Sequence, residues 1–167
     1  MESMSTQADQ TRQNIINWCQ QDGISCVDEP ANPQMTWGLQ LSNALVVYMQ
    51  PRFPDRIYFQ STINLADIHR ILVNQTWDIN QRNIMMFNLK KLVAQLNVLM
   101  NFVIPNEELT GFHTYIIHGH ATISKADFLE KFLRIQAVHE IILNQLNIEL
   151  GTALASSQNT NNTNTGR

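Results

Sequence analysis

The sequence predicts an α+β fold in which an antiparallel sheet of about five or six strands is flanked by helices. Apolar residues recur at helical spacing near both ends and in the middle of the chain, and short β-rich runs separated by turn residues lie between them. Strands and helices do not alternate, so a parallel sheet is not expected. The predicted order is one helix, four strands, a long helical segment, two strands and a final helix.

Length and charge limit the classes of function. The chain has 167 residues, of which 44% are hydrophobic, which suits one sizeable core. The 11 basic residues are scattered and the net charge is -3, so a nucleic-acid partner is not expected. No run approaches the roughly twenty apolar residues of a membrane span, and the first residues do not resemble an export signal. We therefore expect a soluble cytoplasmic protein with no membrane partner.

The first half of the chain predicts a helix followed by a meander of strands. The helix covers residues 8–21 and ends near Gly23. Proline residues and the polar pair Ser42 and Asn43 separate the extended runs that follow. These runs cover residues 24–27, 35–41, 44–50 and 56–63.

The middle of the chain predicts two helices. Asn64 and Asp67 have the spacing of a capping box, so a helix is expected from about Leu65, and Thr76 or Asp78 can cap a second one. An apolar stripe about half the helix circumference wide follows. It consists of Met85, Met86, Leu89, Leu92, Val93, Leu96, Leu99 and Met100. A stripe of this width is expected either in the core or in contact with a partner chain.

The last third predicts two strands, near residues 102–104 and 112–123, and a helix. Ser124 is expected to cap this helix, with Asp127 at its third position, and the helix is expected to end at Gly151. Residues 1–151 thus form one predicted domain. Residues 152–167 are rich in Asn, Thr and Ser and have no core-forming periodicity, which predicts a disordered tail.

Three segments carry a resemblance to a known family: "NIINWCQQDGISC", "VVYMQPRFPDRIYF" and "YIIHGHATISKADFLEKF". Together with the order of elements, they make residues 8–150 similar to an uncharacterised archaeal family of small domains, which resembles the type III secretion chaperones in fold. The resemblance implies an antiparallel sheet flanked by helices, commonly in a homodimer. Its motifs are patterns of apolar and turn residues, so it implies no activity and no site residues.

His118 and His120 are the candidate metal ligands. On a strand they point to the same face about 7 Å apart, so both rings can reach one ion. A metal site needs at least a third ligand, and no recognised spacing supplies one. Gly119 between them favours a bend at a solvent-facing strand end. We therefore expect no metal and no cofactor, and a metal-binding protein or metal-dependent enzyme that uses this pair is the alternative function.

Other catalytic patterns are missing. Cys19 and Cys26 have no histidine near them in sequence, and motifs of serine hydrolases and phosphate-binding loops are absent. The sequence therefore favours a non-enzymatic function. We expect a protein- or peptide-binding module, chaperone-like or an adaptor, that forms a homodimer and binds an unidentified protein partner.

Two regions are candidates for such an interaction. Arg52, Phe53 and Arg56 lie in a loop stiffened by two prolines, and arginine and aromatic residues are enriched at interfaces. The alternative is a hairpin in which Asp55 pairs with a neighbouring arginine. The second region is the part of the apolar stripe formed by Met85, Met86, Leu89, Leu92 and Leu96, for which burial in the core is the alternative.

Overall fold

The computed structural model describes the backbone of residues 2–163 and the side chains of residues 7–155. The fold is α+β, as predicted. The helices are α1 (Glu2–Asp22), α2 (Asp67–Ile71), α3 (Ile79–Ala94) and α4 (Lys125–Thr163). The strands are β1 (Val27–Asp28), β2 (Trp37–Ser42), β3 (Leu45–Gln50), β4 (Phe53–Asn64), β5 (Leu99–Val103) and β6 (Gly111–His118).

The six strands form one antiparallel sheet in the order β1-β2-β3-β4-β6-β5. Helix α4 packs against β4 and β6, α3 packs against β5, and α1 packs against α4. Side chains alternate along each strand, and those on the helical side are buried. The main core therefore lies between the helices and this face of the sheet.

Aromatic rings connect the layers of the core. The ring of Phe128, on α4, lies 5.9 Å from the ring of Phe59 on β4 and 5.8 Å from that of Trp18 on α1. Phe59 and Phe128 are fully buried. Because large rings contribute much of the apolar area that leaves water, this contact fixes α1 and α4 on the sheet.

Local capping signals set the start of α3 and of α4. The Asp78 side chain accepts a hydrogen bond from the Gln81 amide, and the Gln81 side chain accepts one from the Asp78 amide, which completes a capping box. Ser124 accepts from the Asp127 amide at 3.1 Å. Both predicted caps are confirmed. Within the described residues, no helix has the length and apolar character needed to cross a membrane.

The end of α1 also agrees with the sequence. Gly23 has a φ of +68°, which is unstrained only for glycine, and the Ile24 amide donates to the Cys19 carbonyl oxygen at 2.8 Å. The strand predicted at residues 24–27 is instead Val27–Asp28. It is this short because only Val27 and Asp28 pair with β2.

The boundary between α3 and β5 corrects the prediction. Leu99 and Met100 belong to β5, whereas the sequence predicted them on the apolar stripe of the helix. Helix α3 ends at Ala94, and Asn97 turns the chain with a φ of 54°. Leu99 and Met100 then pair with Tyr115 and Thr114 of β6, because hydrogen bonding to a long-range partner outweighs the local helical pattern.

Asn64 does not cap a helix. It is the last residue of β4 and pairs with Gly111, and α2 begins at Asp67 without a side-chain cap. Asn74 has the larger structural role in this region. Its side chain accepts from the Leu109 amide at 2.8 Å and donates to the Leu109 carbonyl at 3.0 Å, which ties the π-helical turn Leu72–Thr76 to the segment before β6.

Helix α4 continues past Gly151 to Thr163, so the predicted helix end at Gly151 is wrong. A glycine inside a helix costs only about 1 kcal/mol relative to alanine, which is too little to end a helix by itself. The single domain predicted for residues 1–151 and the disordered tail predicted for residues 152–167 stay predictions. Residues 164–167 lie outside the described residues.

Gly111 lies at the start of β6 and pairs with Asn64 at the end of β4. A Cβ atom at this position would lie 2.4 Å from the backbone oxygen of Ile63. We expect Gly111→Ala to push the central strands apart and to lower the free energy of unfolding by about 1–3 kcal/mol. Urea denaturation measures this loss. Gly119→Ala is the matched control, because a Cβ atom there would meet no atom within 4 Å, and equal losses in the two variants would contradict the prediction.

Candidate functional site

The predicted interaction stripe on α3 faces the core. Met85 and Leu89 are 2% and 0% exposed, and Met86 and Leu96 are partly buried against the core. Leu92 is half-buried. Met85 and Leu89 are therefore not available to a partner at the surface of this fold, and the core alternative holds for them.

The opposite side of α3 is also apolar, and the sequence analysis missed it. Ile84 and Phe87 are 61% and 66% exposed, and Ile148 on α4 is 64% exposed. These side chains are large, and most of their surface contacts water. Exposed apolar patches of this kind are typical of interaction sites.

A groove between α3 and α4 runs along this patch. One part has a volume of about 500 Å³, and its lining includes Trp77, Ile84, Ile148 and Ala153. A second cavity of about 280 Å³ continues along the same two helices, with Lys91, Leu92 and Glu149 in its wall. The wall of the first cavity is mainly apolar. The wall of the second contains one positively charged residue, Lys91, and one negatively charged residue, Glu149. We call these two cavities together the α3/α4 groove.

The proline-flanked loop forms a compact cluster of cations over an aromatic ring. The guanidinium carbons of Arg52 and Arg56 lie 5.6 Å and 4.9 Å from the centre of the Phe53 ring. Arg56 also lies 4.0 Å from Asp55, the neighbour expected in the hairpin alternative. Phe53 is half-buried and is the first residue of β4 rather than part of an exposed loop. The cluster orders a turn, and its role in binding stays a prediction.

The histidine pair does not lie on one strand. Strand β6 ends at His118, and His120 follows in a bend, so the predicted continuation of the strand to residue 123 is wrong. The two rings are 5.8 Å apart, and His118 Nε2 is 2.9 Å from the carbonyl oxygen of Thr122. In the described part of the chain, no group of three or more His, Cys, Asp and Glu residues is placed to hold a metal ion. Among these described residues, none joins His118 and His120 as a third ligand, and metal binding by the pair stays the alternative prediction.

A chain of hydrogen bonds crosses the face of the sheet opposite the core. Tyr48 donates to Gln60 at 2.9 Å, and the Gln60 amide nitrogen is 3.1 Å from His113 Nδ1. Because an amide nitrogen only donates, Nδ1 accepts, which places the proton of the neutral ring on Nε2. Burial lowers the pKa of His113 and raises that of Tyr48 to about 12. Both groups are therefore held neutral in this network.

A second polar cluster lies under α4. His139 Nδ1 is 2.6 Å from Ser61 Oγ, and Thr114 is the direct cross-strand neighbour of Ser61. Burial lowers the pKa of His139, although Glu140 opposes this effect. The serine and histidine are in hydrogen-bond contact, and Ser61 is 1% exposed, so its hydroxyl is shielded from solvent. The pair therefore ties α4 to β4.

The two cysteines lie near one end of the sheet. Both are free thiols, Cys19 buried and Cys26 half-buried. Burial raises the pKa of Cys19 to about 12 and also raises that of Cys26, so neither is an activated nucleophile. Beside them, a cavity of about 560 Å³ is lined by the segment 28–38 and by Arg12, which pairs with Asp28.

Structural comparison identifies a protein with the same architecture. An uncharacterized protein from Methanothermobacter thermautotrophicus superimposes with a TM-score of 0.72 at 9% sequence identity, over 84% of this chain and 99% of that chain. The two proteins share a fold. A second structure, YbjN from E. coli, gives a TM-score of 0.49 at 9% identity, over 82% of this chain and 91% of that chain. No family model and no curated protein sequence matches this chain. The predicted similarity to uncharacterised archaeal proteins is thus confirmed at the level of fold.

Two half-buried histidines, His113 and His139, predict that the protein loses stability in acid. Their pKa values are lowered in the folded state, so the unfolded chain binds more protons once the pH falls below the ordinary value of 6.5. The free energy of unfolding should then decrease as the pH falls from 6.5 towards the folded-state pKa values. Urea denaturation over this range measures the slope.

His139→Gln should reduce that slope, because it removes one of the two groups that titrate differently in the two states. Ser61→Ala is the matched control: it removes the hydrogen bond but leaves the half-buried ring of His139, so it should lower stability at every pH and keep the slope. A slope that is the same in His139→Gln and the wild type would refute this account of His139.

Proposed function

We propose that this chain is a cytoplasmic protein- or peptide-binding module that holds an apolar segment of another protein in the α3/α4 groove. The observation that carries the proposal is the exposure of Ile84 and Ile148, which line this groove, with Phe87 exposed on the same helix as Ile84. Leaving such side chains in water is unfavourable, and covering one side chain contributes about 1.5–3 kcal/mol.

The shape of the groove supports a helical ligand. Residues of two helices, α3 and α4, line it, and an amphipathic helix presents apolar residues every three or four positions to such a surface. Lys91 and Glu149, in the second cavity, offer one positive and one negative group for the polar edge of that ligand. An amphipathic helix with charges of both signs beside its apolar face is therefore the ligand that we propose.

The resemblance to the type III secretion chaperones favours a chaperone-like form of this function, in which the bound segment is kept apart from other apolar surfaces. An adaptor that links two proteins uses the same groove. In both forms the partner contributes an apolar helix, and the chain itself performs no reaction.

A photo-crosslinking residue at Ile148 is expected to link to one partner protein in host cells. The matched control position is Leu133, which is also on α4 and is 59% exposed but lies about 22 Å earlier along the helix. The same adducts at both positions would indicate unspecific contact and count against the groove.

The crosslinked segment, made as a peptide, then tests the site quantitatively. Ile148→Asp should weaken its binding by about ten- to a hundredfold, because an apolar contact is lost and a charge is desolvated. Leu133→Asp should leave the affinity unchanged. Isothermal titration measures both, and equal affinities for the wild type and Ile148→Asp would refute the proposal.

A further inference from the structure

Strand β5 forms one end of the sheet. It pairs with β6 on one side, and among the described residues no strand pairs with its other side. The backbone amide and carbonyl groups on that outer side can pair with another chain, because an edge strand is a template for such pairing.

The hydrogen bonds around β6 show which groups of β5 point outward. The Thr110 amide donates to the Val103 carbonyl oxygen at 2.8 Å, so the polar backbone groups of Val103 point towards β6. The backbone amide and carbonyl groups of successive residues point to opposite sides of a strand, so those of Leu99 and Asn101 also point towards β6. The amide and carbonyl groups of Met100 and Phe102 consequently point to the outer edge.

This edge lacks three of the features that natural proteins use to prevent pairing: charged residues, proline and a β-bulge. Residues 99–103, "LMNFV", include no charged residue and no proline, and their register with β6 has no bulge. Leu99 is 51% exposed and Asn101 is exposed. The strand is thus straight, neutral and partly apolar at the surface.

We infer that β5 pairs with β5 of a second copy of this chain across a two-fold axis at Asn101. In this register Met100 of each copy lies opposite the partner's Phe102, and each donates to and accepts from the other. The six-stranded sheets of the two copies then join at β5 into one continuous antiparallel sheet. This inference is argued from the β5 edge alone and does not rest on the function proposed for the α3/α4 groove.

Self-pairing fits the sequence of the strand. Antiparallel pairing about Asn101 places Leu99 opposite the partner's Val103 and Asn101 opposite the partner's Asn101, so apolar groups meet apolar groups and amides meet amides. No like charges are brought together. A peptide of unrelated sequence would satisfy the backbone groups but would match these side chains only by chance, which is why a second copy is the favoured occupant.

The oligomeric state tests this inference, and Asn101 gives the sharpest variants. The wild type should sediment at twice the chain mass of 19.2 kDa at micromolar concentration. N101K and N101E each place like charges opposite one another at the axis, so each should be monomeric, with the dimer dissociation constant raised at least about tenfold. An equimolar mixture of the two should regain the dimer, because a lysine then faces a glutamate.

Two controls make the result specific. Asn101→Ala removes the side-chain amide, including its hydrogen bond to the Tyr115 hydroxyl, but adds no charge and keeps the backbone pairing, so it should remain dimeric. Asn43→Lys adds the same charge as N101K at an exposed turn and should also remain dimeric. A monomeric wild type would overturn the inference. So would a dimer that persists in N101K and N101E, because the copies would then meet through another surface.

Discussion

The pairing of β4 with β6 is the constraint on which the rest of the structure depends. Eight cross-strand pairs join residues 57–64 to residues 111–118, so two segments about fifty residues apart become neighbours at the centre of the sheet. Closing a loop of this length costs entropy, which the buried side chains on both strands offset. Gly111 permits the approach because any side chain there would contact the Ile63 backbone. Helix α4 then covers both strands.

The contact between α4 and these strands combines apolar packing with a small polar layer. Ser61 and Thr114 are opposite each other on the buried face, and His139 bonds to the serine. The Thr114 hydroxyl is buried and has no hydrogen-bond partner within the described residues. Buried polar groups are costly unless they are paired, so an apolar layer would be more stable here. The bond from Ser61 to His139 instead fixes the position of α4 along β4.

The sequence predicted correctly those features that depend on a few neighbouring residues. The Asp78 and Ser124 caps and the turn at Gly23 each need only local hydrogen bonds or one favourable backbone angle. Asn64, Leu99 and Met100 were assigned wrongly because their conformation depends on pairing with β6, which no local pattern reveals. The same limit hides the β5 edge, since strand order follows from long-range pairing.

The sequence predicted the candidate site only in part, and here the limit was not long-range strand pairing. The apolar stripe of α3 was recognised, but its residues Met85 and Leu89 face the core. Ile84 and Phe87, three positions apart on the opposite side, carried the signal of a second apolar face. When a helix is apolar on two sides and only one side is buried in the core, the exposure of the other side needs a separate explanation.

The segment from α3 to β5 connects the two proposed interactions physically. Helix α3 contributes Ile84 to the groove and packs on β5, and Lys90 of this helix lies 6.0 Å from the ring of Phe102 on the edge strand. Pairing of β5 with a second copy would restrict the motion of this strand and hence of the helix that rests on it. A groove wall that is already ordered loses less entropy when a ligand binds. Dimerisation at the edge and ligand binding at the groove are therefore expected to favour each other, although they use different residues.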